Sequence, residues 1–114
     1  MRPEERDPAL LWDMLDAALA IADFVAHKTL DDYRGDRMLR GAVERHLEII
    51  GEAANRVSDI FREAHPAIPW RAIIGQRNVI VHGYAEIEHD LVWRVAAEKI
   101  PELIDEISVL IPNR

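Results

Sequence analysis

The chain has 114 residues, 49% of them hydrophobic and 31% charged, and its 14 Lys and Arg against 21 Asp and Glu give a formal charge of −7. That is enough apolar material for one ordinary core and too much for a disordered chain, and the acidic total argues against a general nucleic-acid coat. With no cysteine, disulfides, thiolate metal sites and a Cys nucleophile are excluded, which fits a reducing compartment.

Glycine and proline sit between apolar-periodic stretches rather than inside them, which predicts an all-α fold, an antiparallel bundle of four to five helices within one domain over 1–114. The opening MRPEERDPAL is charged where a signal peptide needs an apolar stretch, and no apolar run approaches the roughly 20 residues of a membrane span. The expectation is a cytoplasmic protein with no membrane contact. Asp7-Pro8 marks a helix start, since an Asx side chain accepts from free N–H groups and proline at the first helical position loses nothing. From there Leu11, Leu15, Ala18, Ala22 and Val25 recur by fours and threes, predicting a buried stripe on a helix over about residues 8–28. Thr29–Gly35 breaks the pattern. A second long helix is predicted over about residues 36–57, antiparallel to the first, with Leu39, Val43, His46, Ile50, Ala53 and Val57 on one face. Ser58 to Ala64 suits a short extension stopped by His65-Pro66. Pro69 can open a third helix that ends at Gly83, a residue suited to the left-handed conformation. The last helix starts near His89 or Asp90 and buries Val92, Ala96, Ile100, Leu103, Ile107 and Leu110. Pro101 lies inside it, removing an N–H and clashing with the carbonyl four residues back, so a kink or break is expected there.

Charge is unevenly distributed. The 22 residues from Ala64 to Ala85 hold no Asp or Glu but contain Arg71 and Arg77, a balance of +2, which leaves −9 on the other 92 residues. A local cationic patch on an acidic body suits an anion such as phosphate, because a guanidinium offers a planar fork of donors that stays charged. A mostly buried helix would lack charges for a plainer reason. Within this window stands RNVIVHGY. Asn78 and His82, four apart, share a helix face, so Asn78 is placed to hold the His82 ring. Arg77 and His82 are five apart, a net angle of about 140°, so they share no narrow face of one straight helix. Either the helix ends near His82 and the ring swings back, or two copies act together across a dimer interface. An end-of-helix histidine meeting free carbonyls is the purely structural alternative.

Arg77-x4-His82-x-Tyr84 resembles the signature of the HEPN superfamily, in particular the HepT-like ribonuclease toxins that partner MNT-type minimal nucleotidyltransferases. The likeness extends through VERHLEIIGEAANRVS (Val43–Ser58), IPWRAIIGQRNVIVHGY (Ile68–Tyr84) and LVWRVAAEKIPELIDEI (Leu91–Ile107), covering nearly the whole chain. It implies metal-independent RNA cleavage with no cofactor, by Arg77 and His82 with Asn78 in support. An imidazole with an ordinary pKa near 6.5 can take the ribose 2′-OH proton, and Arg77 can stabilise charge building on the phosphate. The product would be a 2′,3′-cyclic phosphate. One histidine cannot be base and acid in the same step, so a two-fold homodimer carrying two copies of Arg77 and His82 in one cleft is expected. The resemblance further implies that Tyr84 accepts AMP from the nucleotidyltransferase, which would put phosphate and bulk where the RNA backbone lies. A packed interface tyrosine is the alternative.

Elsewhere, His46 reads as a satisfied core or interface histidine, and none of His27, His65 or His89 makes a tight ligand spacing, so no metal is expected. Glu44, Glu48 and Glu52 read as a solvated edge with Arg45 and Arg56 as counter-charges. Trp70 and Trp93 read as packing residues rather than base-stacking platforms. Arg71 and Arg94 are secondary candidates for RNA backbone contacts. The competing reading is a non-cleaving helical HEPN module that serves a nucleotidyltransferase as substrate- or nucleotide-binding subunit.

Overall fold

The computed structural model describes the backbone of residues 3–82 and 88–111, and the side chains of residues 4–76 and 88–111. Helix is the only regular structure among them. Four rods make the bundle: α1 (Asp7–Val25), α3 (Arg37–Arg56), α5 (Trp70–His82), and a last rod in which α6 (His89–Arg94), a π turn (Val95–Lys99) and α7 (Ile100–Ser108) follow without a gap. Two short helices, α2 (Leu30–Gly35) and α4 (Asp59–Ala64), sit between the rods.

The start of α1 departs from expectation. The Asp7 carboxylate does not cap its own helix. It is buried and accepts hydrogen bonds from the Ser58 N–H (2.9 Å) and the Ser58 Oγ–H (2.6 Å), 51 residues further on. The Ser58 Oγ in turn accepts from the Phe61 N–H (3.2 Å), capping α4. Asp7 thus joins the start of α1 to the end of α3, while Phe24 near the other end of α1 lies 5.0 Å from the His46 ring in the middle of α3. These two contacts run in opposite order along the chains, so α1 and α3 are antiparallel, as expected.

The buried face of α1 is wider than the predicted stripe. Leu11, Leu15 and Ala18 are buried, but so are Leu10, Met14, Ala17 and Ile21, whereas Ala22 and Val25 lie at its margin. Each fully buried aliphatic side chain contributes about 1.5–3 kcal/mol, so this second row is a large share of the core. The helix stops at Val25, three residues before the predicted end, and His27 takes the left-handed conformation at φ 62°. Thr29–Gly35, read as a break, contains a helix. The Thr29 Oγ1 accepts from the Asp32 N–H (3.1 Å) and the Asp32 carboxylate accepts from the Thr29 N–H (2.9 Å), a capping box that starts α2.

α3 is capped by Asp36, which accepts from the Leu39 N–H (3.0 Å). Its predicted face is buried at Leu39, Val43, Ile50, Ala53 and Val57, with Leu47 and Ala54 added. His46 is half-buried, and its Nδ1 lies 2.8 Å from the Ala42 carbonyl, the satisfied histidine expected. In the last rod Val92, Ala96, Ile100, Leu103 and Ile107 are all buried, whereas Leu110, predicted with them, lies past the end of α7 and is half-buried. At the π turn the Ile100 N–H donates to the Val95 carbonyl, five residues back. The slip precedes Pro101 by one residue, so the ring meets a turn already widened rather than an α turn it must break.

Candidate active site

α5 begins where Trp70 is pinned. Its ring is buried, the indole N–H donates to the His65 carbonyl (3.0 Å), and the Phe61 ring stands 6.2 Å away edge-on. Trp70 is a packing residue, as expected. Since Phe61 belongs to α4, which follows α3 directly, α5 starts beside the C-terminal end of α3 and packs back along it. Ala72, Ile73 and Gln76 share a groove with Leu47 and Ile50 of α3, which sets the register. At 1.5 Å per residue, the last turn of α5 falls level with roughly residues 40–44 of α3.

The predicted site residues Arg77, Asn78 and His82 all lie on helical backbone in this second half of α5, and His82 is its last residue. Asn78 and His82 therefore stand one helical repeat apart, while Arg77 and His82 are separated around the axis by about 140°. Tyr84, with Gly83, lies outside the described residues. Arg71 is exposed in the first turn of α5, about 9 Å of helical rise from Arg77. Arg94 is exposed on α6 and stands 3.8 Å from Glu98. The structure therefore places both secondary arginines on the surface and does not bring Arg71 to the Arg77 end.

A polar cluster that sequence reasoning missed joins α2, α3 and α6. Tyr33 of α2 is fully buried, its ring 5.5 Å from Trp93 and 6.3 Å, edge-on, from His89. Arg34 grips Asp90 of α6 with two bonds, Nε to Oδ1 (3.0 Å) and Nη2 to Oδ2 (2.6 Å). From α3, Arg40 donates to the carbonyls of Arg34 and Tyr33, closing the end of α2. Glu44, expected on a solvated edge, is half-buried, and that burial raises its pKa against the opposing pull of His89 and Arg40. Glu48 and Glu52 are half-buried too, but stand 3.4 and 4.0 Å from Arg45, one of the expected counter-charges. Burial, then Glu44, pushes the Tyr33 phenol up, and the bond from Arg34 holds the Asp90 carboxyl below the usual range. The Tyr33 hydroxyl and His89 Nδ1 are buried without a hydrogen-bond partner among the described residues. The available sequence signal was Thr29-x-x-Asp32, a capping-box spacing in a stretch otherwise read as loop.

The groove between α5, the π turn and α7 is about 250 Å³, floored by Leu47 and Ile50 and rimmed by Gln76, Lys99, Glu102 and Glu106. Its polar rim reaches the residue before Arg77. Among the described residues no three His, Asp or Glu side chains converge as metal ligands, and no described helix is long and apolar enough to cross a membrane.

A helical bundle with an Arg-x4-His-x-Tyr segment at the end of its third rod is the class these observations define. The family model described as ribonuclease HepT-like matches residues 14–110, and the chain belongs to that HEPN-type family. It is 34% identical to a protein of Methanocaldococcus jannaschii whose name proposes it as an RNase, over 90% of this chain and 94% of that one. It is also 34% identical, over 82% of this chain and 84% of the other, to a Thermococcus cleftensis protein whose name proposes ribonuclease HepT. A second M. jannaschii protein with an RNase name is 32% identical over 97% of this chain and 92% of its own. No solved structure matches the chain at a significant level.

Proposed function

We propose that the protein is an endoribonuclease toxin that cuts RNA without a metal ion or cofactor, using Arg77 and His82 of two copies in one cleft. The observation that carries this reading is the extent of the family match, residues 14–110, which takes in Arg77, Asn78, His82 and Tyr84. In the proposed reaction a neutral His82 imidazole takes the proton of a ribose 2′-OH, and the 2′ oxygen bonds to phosphorus. The bond to the 5′ oxygen breaks, and the protonated imidazole of the second copy supplies that oxygen with its proton. The products are a 2′,3′-cyclic phosphate and a 5′-OH end. Arg77 stabilises charge on the phosphate oxygens, and Asn78 orients His82. Arg71 and Arg94 contribute weaker contacts to the RNA backbone. A cognate nucleotidyltransferase of the MNT type silences the toxin by adding AMP to Tyr84, placing negative charge two residues from His82.

Expression of wild type and His82→Ala without any partner, followed by RNA end analysis, tests this. Wild type should leave cyclic phosphate ends and His82→Ala none, with Arg77→Ala slower by about 100-fold or more. Intact RNA in both cultures overturns the ribonuclease reading and leaves the non-cleaving binding module. Tyr84→Phe should lose AMP incorporation. A mass gain of whole AMP units in that variant assigns the acceptor elsewhere.

A further inference from the structure

The backbone of α5 is continuous from Trp70 to His82, so the helical repeat fixes which of its positions share a face. Trp70, Ile73 and Ile74 are buried or half-buried and turn toward the bundle, whereas Arg71 and Gly75 are exposed. Measured from Arg71, the positions of Gly75, Asn78 and His82 all lie within about 40° around the axis. These four positions make one stripe, three turns long, on the outer side of α5. Arg71 stands at one end of it with no ion pair among the described residues. Gly75 leaves the middle bare. A methyl group added there meets nothing within 4 Å, so packing among the described residues gives no reason for a residue that weakens a helix interior relative to alanine. α5 carries no Asp or Glu, while Glu102 and Glu106 stand on the opposite rim of the groove beside it and repel phosphate from that side.

The geometry points to the outer face of α5 as the path of a single RNA strand, with Arg71 holding a phosphate three turns from the His82 position and Gly75 letting the sugar–phosphate backbone pass close to the helix. This rests on the ribonuclease reading above and gives its substrate a track and a reach. An unpaired guanidinium keeps its charge and presents a planar fork of donors that matches a phosphate. A glycine serves where another backbone must approach closely. The rise from Arg71 to His82 is about 16 Å, on the order of three to five nucleotides, so Arg71 acts on a phosphate remote from the bond that breaks. One narrow stripe on an acidic body suits a single strand rather than the broad charged face that a duplex spans.

Fluorescence anisotropy with a 2′-O-methyl RNA strand of about twelve nucleotides, which binds without being cut, tests the path. Arg71→Ala should bind about tenfold more weakly, with a salt slope shallower by about 0.7. Arg71→Lys, which keeps the charge, should stay within about threefold of wild type. Gly75→Leu should also weaken binding about tenfold, since it adds bulk to the face without removing a charge. Arg62→Ala removes a cation from α4 instead and should bind as wild type. In cleavage, Arg71→Ala should raise KM about tenfold and leave kcat within about twofold, the mark of a remote binding contact. Wild-type affinity in Arg71→Ala or in Gly75→Leu overturns the path, as does an equal loss in Arg62→Ala, which would reduce Arg71 to general charge. Weaker binding in Gly75→Leu that comes with a smaller assembly assigns this face to a second copy and overturns it too. Binding is read without cleavage, so intact RNA with wild type removes the ribonuclease reading while these affinities still decide the path.

Discussion

Asp7 shows how one side chain can join distant parts of a helical bundle. Its carboxylate is buried and both of its bonds go to Ser58, which at the same time caps α4. Removing it leaves the Ser58 N–H buried without an acceptor, so Asp7→Ala should cost about 1–3 kcal/mol in urea unfolding. A loss under about half a kcal/mol would mean that water replaces the carboxylate freely. Glu44 is the opposite case. Burial holds its carboxyl above the ordinary carboxylate range, so the fold favours the protonated form. The stability this group contributes is full below its unfolded pKa and is lost as pH rises through the folded one. Glu44→Gln should therefore melt higher than wild type at pH 7, and the difference should vanish near pH 4. A variant less stable at pH 7 would show that His89 and Arg40 outweigh burial.

Elements of three turns or more were legible because their apolar residues repeat often enough to define a face. The stripes on α3 and the last rod were read mostly at the right positions, with His46 and Leu110 only half-buried, whereas on α1 the stripe was too narrow and ran on to Ala22 and Val25 at the margin. A six-residue helix such as α2 cannot show a period, and only its capping pair marks it. Asp7 was misread because its partner is 51 residues away, a distance at which sequence spacing carries no information. The π turn left a faint trace: Val92, Ala96 and Ile100 step by four twice, overrunning two α turns by almost one residue, and the wide turn absorbs the excess. At the candidate site the motif was visible as a pattern, whereas the polar cluster was not, because it is assembled from α2, α3 and α6 together. Two substitutions test the helices themselves. Pro101→Ala should change stability by less than about 1 kcal/mol, since the π turn spares the usual proline penalty of about 3 kcal/mol. A larger gain in thermal unfolding would mean that the ring strains the rod. Gly75 lies exposed in α5, and a methyl group added there meets nothing within 4 Å, so Gly75→Ala should stabilise by about 0.5–1 kcal/mol. Destabilisation of the assembled protein instead would indicate that another chain approaches α5 closely at that point.

At the scale of the whole molecule, the charge of −7 has a direction. α1 carries four Asp and α7 two Glu and one Asp, neither with a Lys or Arg, and the two helices pack together. α5 carries Arg71 and Arg77 and no acid, and packs on α3. An RNA strand approaching this protein is repelled by the exposed Asp13, Asp16 and Asp23 of α1 and meets the positive charge of Arg71 in the first turn of α5, while Glu102 and Glu106 of α7 rim the groove beside α5. The field therefore selects an orientation, and the few cations available limit how many phosphates are neutralised at once. Each phosphate contact on a single strand contributes about −0.7 to the slope of log K against log salt concentration, so two to four contacts give a slope of about −1.5 to −3. Binding of a non-cleavable 2′-deoxy or 2′-O-methyl oligonucleotide to His82→Ala between 50 and 200 mM salt, on the order of a physiological range, measures it directly. A slope nearer −6, the mark of roughly eight or more phosphates, would place the strand across the cations of several helices and remove the reason for confining it to α5. A shallow slope that steepens when Asp13 and Asp16, both exposed on α1, are changed to Lys would show that the acidic side sets the limit.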